Sequence, residues 1–91
     1  MDQILSEFLP VVTYTQLGDV LASLGFRTSK TGDGATVYKH PASEAYLAFP
    51  DIPDRVYVLP HHYLATRMTL DAFGIADPRE LAARVKVVTG L

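Results

Sequence analysis

Cysteine is absent from the sequence, which excludes disulfides, thiolate nucleophiles and metal sites with cysteine ligands. A long uninterrupted apolar run is also absent. Because Asp2 and Glu7 interrupt the N-terminal stretch, we expect neither a signal peptide nor a membrane-spanning helix. These absences predict a cytoplasmic protein that makes no membrane contact. The residue pattern predicts no cofactor and no metal ion.

Positive charge is scarce. Eight lysines and arginines stand against ten aspartates and glutamates, which gives a formal net charge of −2 and a pI near 5.8. Proteins that bind nucleic acid without sequence preference usually carry a basic surplus, so the composition argues against strong binding of that kind. A local basic patch of Arg27, Lys30 and Lys39 is compatible with this average. Scattered, solvated charges are the simpler interpretation of the three residues.

Length and composition indicate one folded domain over residues 1–91. This length is within the range of one domain and too short for a second hydrophobic core. The chain is 48% hydrophobic and 20% charged, with a mean hydropathy of +0.14, which disfavours disorder. The domain is expected to fold alone or with a second copy of itself.

The N-terminal part of the chain has helical periodicity. Apolar residues at i, i+3, i+4 and i+7 predict a helix over 15–24, with Thr15 as its N-cap and Gly25 just after its end. A shorter helix over 4–9 is expected to end at Pro10. The apolar stripe of the 15–24 helix consists of Leu17, Val20, Leu21 and Leu24.

The middle of the chain has β character. Three strands are predicted over 26–30, 36–40 and 45–49, separated by turn residues, and 55–59 is either a fourth strand or an extended connector. Alternation along 36–40 places Thr36, Tyr38 and His40 on one face of the sheet. If Val37 points toward the helices, Tyr38 and His40 face outward.

Two more helices are predicted after the strands. The first covers 61–73, with Leu64, Met68 and Ala72 on its apolar side and Gly74 as its stop signal. The second begins after Asp77. This residue is an acidic N-cap, Pro78 follows it at the first helical position, and Glu80 lies three residues after the cap. Its apolar stripe, formed by Leu81, Val85 and Val88, covers either its own domain or a partner copy in a homodimer.

Four short motifs follow one another between residues 15 and 76. They are Leu24-Gly25-Phe26, Tyr38-Lys39-His40-Pro41, Pro60-His61 and Gly74-Ile75. In this order and spacing they resemble the HicA toxins of bacterial toxin–antitoxin pairs, although each motif is weak alone. The resemblance implies an α+β, double-stranded-RNA-binding-like α-β-β-β-α domain. This chain would add a short N-terminal extension and an extra helix over 77–91.

The resemblance also implies a function, and the sequence departs from it at one position. HicA toxins are small ribonucleases that cleave messenger RNA and are silenced by a HicB partner. Their catalytic histidine lies on the hairpin just before the aromatic-Lys-His-Pro run, where this sequence has Gly34, Ala35 and Thr36. Cleavage through the 2′-hydroxyl requires a base with a pKa near neutral, and neither alanine nor a threonine hydroxyl meets that requirement. The sequence therefore indicates a family member that has lost or rearranged catalysis.

The remaining histidines are the candidates for a relocated base. His40 is either a satisfied strand-end residue or catalytic. His61 and His62 are adjacent, so their side chains diverge and are poorly placed to chelate one metal ion. The start of a helix disfavours their protonation, so His61 could act as a base, or both could simply pack locally.

Three functions follow from these observations. The first is a catalytically degenerate HicA-like protein that binds a HicB-like antitoxin, RNA or its own copy. The second is a metal-independent endoribonuclease with His40 or His61 as base and Lys39 or Arg27 near the phosphate. The third is a protein-interaction module unrelated to RNA.

Aromatic side chains of the strand region that face outward could stack on RNA bases. The aromatic residues of this region are Tyr38, Tyr46, Phe49 and Tyr57.

Overall fold

The computed structural model describes residues 11–50 and 56–90. In this part of the chain a helix is followed by three strands and two helices. They are α1 (Tyr14–Ser23), β1 (Arg27–Lys30), β2 (Thr36–His40), β3 (Ala45–Phe49), α2 (Pro60–Ala72) and α3 (Pro78–Thr89). The strands form one antiparallel sheet in the order β1-β2-β3. The predicted α+β class and element order are confirmed, whereas the helix predicted over 4–9 lies outside the described residues.

Helix α1 begins one residue before its predicted start. Thr13 is the N-cap, not Thr15. The Gln16 backbone N–H donates to Thr13 Oγ1 at 3.2 Å, and the Thr13 N–H donates to Gln16 Oε1 at 2.9 Å. This reciprocal capping box satisfies two backbone donors that the helix start would otherwise leave without a partner. Gly25 follows the helix with φ +96°, a left-handed conformation that glycine adopts without steric cost.

The pairing register decides which strand residues face the helices. Tyr38 lies opposite Leu47, and both are buried, with 8% and 5% exposure. Across α1, a Cβ placed on Gly18 would lie 2.7 Å from the Tyr38 hydroxyl, so Tyr38 fills the space next to this glycine. The interpretation with Val37 toward the helices and Tyr38 outward is therefore wrong. Val37 and Lys39 lie on the other face of the sheet.

Helix α3 packs on its own domain. Leu81 and Val85 are 1% and 6% exposed within the hydrophobic core, and Val88 packs against that core. Two polar contacts also join α3 to α1. Gln16 Nε2 donates to the Val88 carbonyl at 3.5 Å, and Arg84 Nη1 donates to Ser23 Oγ at 3.0 Å. A homodimer through Leu81, Val85 and Val88 is therefore a wrong prediction, because the core of the same chain covers them.

Helix α2 has the predicted extent within one residue at each end, but the side of the helix that packs on the core is not the predicted one. The buried positions are Tyr63, Thr66 and Leu70, whereas Leu64 and Met68 are 43% and 62% exposed. Thr66 can be buried because its hydroxyl donates to the His62 carbonyl one turn earlier, at 2.9 Å. The prediction that Leu64, Met68 and Ala72 form the buried side of this helix is therefore wrong.

The segment before α2 is a connector rather than a strand of the sheet. Tyr57 forms an isolated antiparallel bridge with Thr13, and the Val58 N–H donates to the Val12 carbonyl at 2.8 Å. Arg55, where the predicted fourth strand began, lies outside the described residues. Among residues 11–50 and 56–90, no helix combines the length and apolar character needed to cross a membrane.

Candidate functional site

The face of the sheet opposite the helices carries a row of three polar and aromatic residues. Arg27 of β1 pairs with Lys39 of β2, and Lys39 pairs with Tyr46 of β3. All three are exposed, and Tyr46 is 53% exposed. Residues paired in this way have Cβ atoms about 4.5–5.5 Å apart. We call Arg27, Lys39 and Tyr46 the outer sheet row.

A cleft of about 490 Å³ runs along the outer sheet row, and Ser29, Pro41 and Glu44 also line it. Two cations and one carboxylate therefore share the cleft. Arg27 and Lys39 lie directly opposite one another, an arrangement of like charges that destabilises a sheet. The cleft can receive an anionic or aromatic group along three adjacent strands.

The predicted basic patch is only partly assembled. Lys30 lies three residues beyond Arg27 on β1, about 10 Å away along the strand, and its Nζ donates to Thr36 Oγ1 at 2.7 Å. Tyr38, predicted as a binding residue, lies on the buried face of the sheet.

Tyr46 is one of the aromatic residues that the sequence offered for base stacking, and the turn before β3 indicates its position next to Lys39. A four-residue turn joins His40 to Ala45. Once these two residues pair across the turn, antiparallel geometry places Lys39 opposite Tyr46 on the same face.

His40 lies at the end of β2 with both ring nitrogens occupied. Nε2 donates to the Leu24 carbonyl at 3.0 Å, since a carbonyl can only accept. Nδ1 accepts from the Ser43 hydroxyl at 2.7 Å and from the Ser43 backbone N–H at 3.3 Å. The ring also packs on Phe26 with a centroid distance of 5.0 Å. In this arrangement no ring nitrogen is available to remove a proton from a substrate.

His61 and His62 begin helix α2 and differ in their surroundings. His61 is exposed, whereas His62 is half-buried and its Nδ1 lies 2.6 Å from the Tyr14 hydroxyl. That hydroxyl also accepts from the Leu59 backbone N–H at 3.2 Å. The ring of His62 contacts Phe49 at 5.1 Å. The Tyr14 hydroxyl thus joins α1 to the start of α2.

The Tyr14–His62 contact predicts a dependence of stability on pH. Burial, and secondarily the charge of His61, lower the pKa of His62 below its usual value. The unfolded chain therefore binds this proton more tightly, so the free energy of unfolding falls as the pH drops below about 6.5. Urea unfolding should show a lower midpoint at about pH 5.5 than at about pH 7.5.

Two variants assign this pH dependence to His62. His62→Asn keeps an acceptor for Tyr14 but removes the titrating ring, so its midpoint should change less over the same range. His61→Asn removes only the smaller, charge contribution and should retain most of the change. Equal pH dependence in His62→Asn and the unaltered chain would contradict the assignment.

Within the part of the chain that the structure describes, no three histidine, aspartate or glutamate side chains are grouped so as to hold a metal ion. The outer sheet row lies on one side of the sheet. His61 and His62 lie on the other side, with α2.

Comparisons with protein-family models, curated proteins and solved structures found no match.

Proposed function

We propose that this chain is a HicA-like domain without catalytic activity that binds single-stranded RNA through the outer sheet row. The observation that carries the proposal is the direct pairing of Arg27 with Lys39 beside the exposed ring of Tyr46. Opposed like charges destabilise a sheet, whereas a phosphate backbone crossing the row would be attracted to both cations. An aromatic side chain in such a groove offers a stacking surface for a base.

The exposure of the outer sheet row supports this proposal. Helices α1 and α2 pack on one side of the three-stranded meander, and on the other side Arg27, Lys39 and Tyr46 are exposed. The proposal takes α1, the sheet and α2 as a double-stranded-RNA-binding-like core to which α3 is added. The four motifs that carry the HicA resemblance lie within or immediately beside this core.

Binding without cleavage fits the positions of the histidines. A ribonuclease mechanism requires a base and a phosphate-binding cation at the same bond. His61 lies with α2 on the side of the sheet opposite Arg27 and Lys39, so it cannot act together with them. His40 lies near Lys39 and lines the same cleft, but its nitrogens are bonded to Leu24 and Ser43.

The expected affinity is modest and depends weakly on salt. Each phosphate contact to a single strand contributes about −0.7 to the slope of log K against log salt concentration, so the two cations of the row give about −1.4. A shallow slope is consistent with the net charge of −2. Stacking on Tyr46 should therefore supply a large share of the binding energy.

The test measures fluorescence anisotropy of a labelled short oligouridylate titrated with the full chain. Tyr46→Ala should weaken binding by roughly 5- to 150-fold, because one base stack contributes about 1–3 kcal/mol. Lys39→Gln should weaken binding and reduce the salt slope by about 0.7. A denaturing gel of the same mixtures should show intact RNA.

The matched controls are Tyr57→Ala and Lys30→Gln, which alter an exposed tyrosine and an exposed lysine outside the row. Both should bind RNA as the unaltered chain does. Equal losses in Tyr57→Ala and Tyr46→Ala would contradict the outer sheet row as the site. RNA fragments that disappear in His61→Ala would support the ribonuclease instead, and absence of RNA binding would favour a protein partner such as an antitoxin.

A further inference from the structure

One acidic side chain shares the cleft of the outer sheet row with the two cations. Of the described residues that line this cleft, Glu44 is the only acidic one, and it is exposed. In the described part of the chain its carboxylate forms no ion pair with Arg27 or Lys39. A carboxylate repels phosphate groups, so Glu44 does not assist binding of an RNA backbone. Its two oxygens are instead available to accept hydrogen bonds from a base.

The backbone of Glu44 has a conformation that glycine adopts more readily. Its φ is +64°, and no other non-glycine residue in 11–50 and 56–90 has a positive φ. The turn holds this conformation, because the Glu44 N–H donates to the His40 carbonyl at 2.7 Å. Left-handed positions usually carry glycine, and residues in strained conformations cluster at functional sites. The turn therefore does not require a carboxylate at this position.

Glu44 lies on the side of the cleft where a base would stack. Arg27 is on β1 and Lys39 is on β2, so a bound phosphate lies toward these two strands, whereas Tyr46 is on β3. Glu44 precedes Tyr46 by two residues, so their Cα atoms are at most about 7 Å apart. A base stacked on Tyr46 would therefore have its edge within reach of the Glu44 carboxylate.

We propose that Glu44 makes guanine the preferred base at Tyr46, an inference that rests on the proposed binding of RNA by the outer sheet row. A carboxylate only accepts hydrogen bonds, and its two oxygens can accept from two parallel donors. The Watson–Crick edge of guanine has two adjacent donors, the N1–H and the N2 amino group. Uracil, cytosine and adenine each present an acceptor beside the donor on this edge. The donor pattern therefore selects guanine as the occupant.

The experiment measures fluorescence anisotropy of labelled RNA hexamers titrated with the full chain. The probes are hexauridylate and three variants of it in which one central uridine is replaced by guanosine, inosine or adenosine. The guanosine hexamer should bind at least about fivefold more tightly than the adenosine hexamer, which is the lower limit for a bidentate side-chain contact to a base. The inosine hexamer should lose most of this gain, because inosine lacks the N2 amino group.

Two variants assign the preference to the Glu44 carboxylate. Glu44→Gln should abolish the guanine preference, because an amide presents a donor beside its acceptor. Glu44→Gly should abolish it as well, and should also raise the urea midpoint because glycine adopts a positive φ without strain. Glu80→Gln is the matched control and should retain the preference, since Glu80 lies on α3 outside the cleft.

The outcomes separate this inference from the proposed function. Equal affinities for the guanosine and adenosine hexamers, with hexauridylate still bound through Tyr46 and Lys39, would overturn the inference and leave the proposed function in place. A guanine preference that persists in Glu44→Gln would assign it to another group. Equal tightening of all hexamers in Glu44→Gln, without a change in preference, would show that the carboxylate only repels phosphates. No binding of any hexamer would overturn both.

Discussion

Leu81→Ala is expected to lower the free energy of unfolding by about 2–5 kcal/mol, the range measured for leucine-to-alanine changes at fully buried sites. Leu81 is 1% exposed in the core, although it lies on the last helix of the described chain. Removing its side chain leaves a cavity between α3 and the rest of the core. Small domains have unfolding free energies of about 5–15 kcal/mol, so this one change would remove a large part of the total.

The matched control is Val87→Ala, because Val87 lies on the same helix and is 82% exposed. Its effect should stay within about 0.5 kcal/mol. Urea unfolding followed by circular dichroism measures both variants. Equal losses in Leu81→Ala and Val87→Ala would contradict the prediction, because they would mean that Leu81 does not pack in the core.

The helix ends and strand limits were the part of the fold that the sequence predicted best. Asp77 caps α3 as expected, with Pro78 in the first turn, and Gly74 has φ +67° after α2. The predicted strands over 36–40 and 45–49 have the observed limits. These features depend on local chemistry, such as a side-chain acceptor at a helix start or a residue that tolerates positive φ, and adjacent residues reveal that chemistry.

The faces of the elements were harder to predict, because tertiary packing selects them. On β2 both Val37 and Tyr38 are buried, so alternation alone could not show which one meets the helices. On α2 the buried side includes Thr66, and the apolar Leu64 and Met68 are exposed. The candidate site changed accordingly. Tyr38 is buried and is no longer part of it, whereas Tyr46, one of the aromatic residues predicted as possible base-stacking residues, lies beside Lys39 and is exposed.

The motifs that suggested a family occupy structural positions. Gly25 and Gly74 have positive φ after helices, and Pro60 is in the first turn of α2. The His40 ring packs on Phe26 and donates to the Leu24 carbonyl, and Leu24 in turn packs against the core. Such residues specify turns and helix ends, so their resemblance to HicA bears on fold more strongly than on catalysis.

His40→Ala is expected to lower the free energy of unfolding by about 2–4 kcal/mol. Each hydrogen bond contributes about 1 kcal/mol net, and the contact of the ring with Phe26 adds about 0.5–1.5 kcal/mol. The Leu24 carbonyl at the end of α1 would lose the donor that His40 Nε2 supplies. Urea unfolding measures the change. The exposed His61, changed to alanine, is the control and should alter stability by less than about 0.5 kcal/mol.

A conservative variant distinguishes a stabilising role of His40 from a role as catalytic base. In His40→Gln the side-chain amide can donate to the Leu24 carbonyl as Nε2 does, so part of the lost stability should return. A catalytic base would behave in the opposite way, because glutamine cannot accept a proton and its restored hydrogen bond would not restore cleavage. Unchanged stability in His40→Ala, together with loss of an RNA-cleaving activity, would therefore contradict the structural role.

The stability of His40 variants also tests whether the two motifs around it act as one unit. A Cβ on Gly25 would lie 3.3 Å from His40 Nε2, and the φ of +96° would be strained for any other residue. Because Gly25→Ala and His40→Ala disturb the same contact, their combined effect on the free energy of unfolding should be smaller than the sum of the two. Additive losses would mean that the end of α1 and the end of β2 are stabilised independently, and His40 would then be free to serve another purpose.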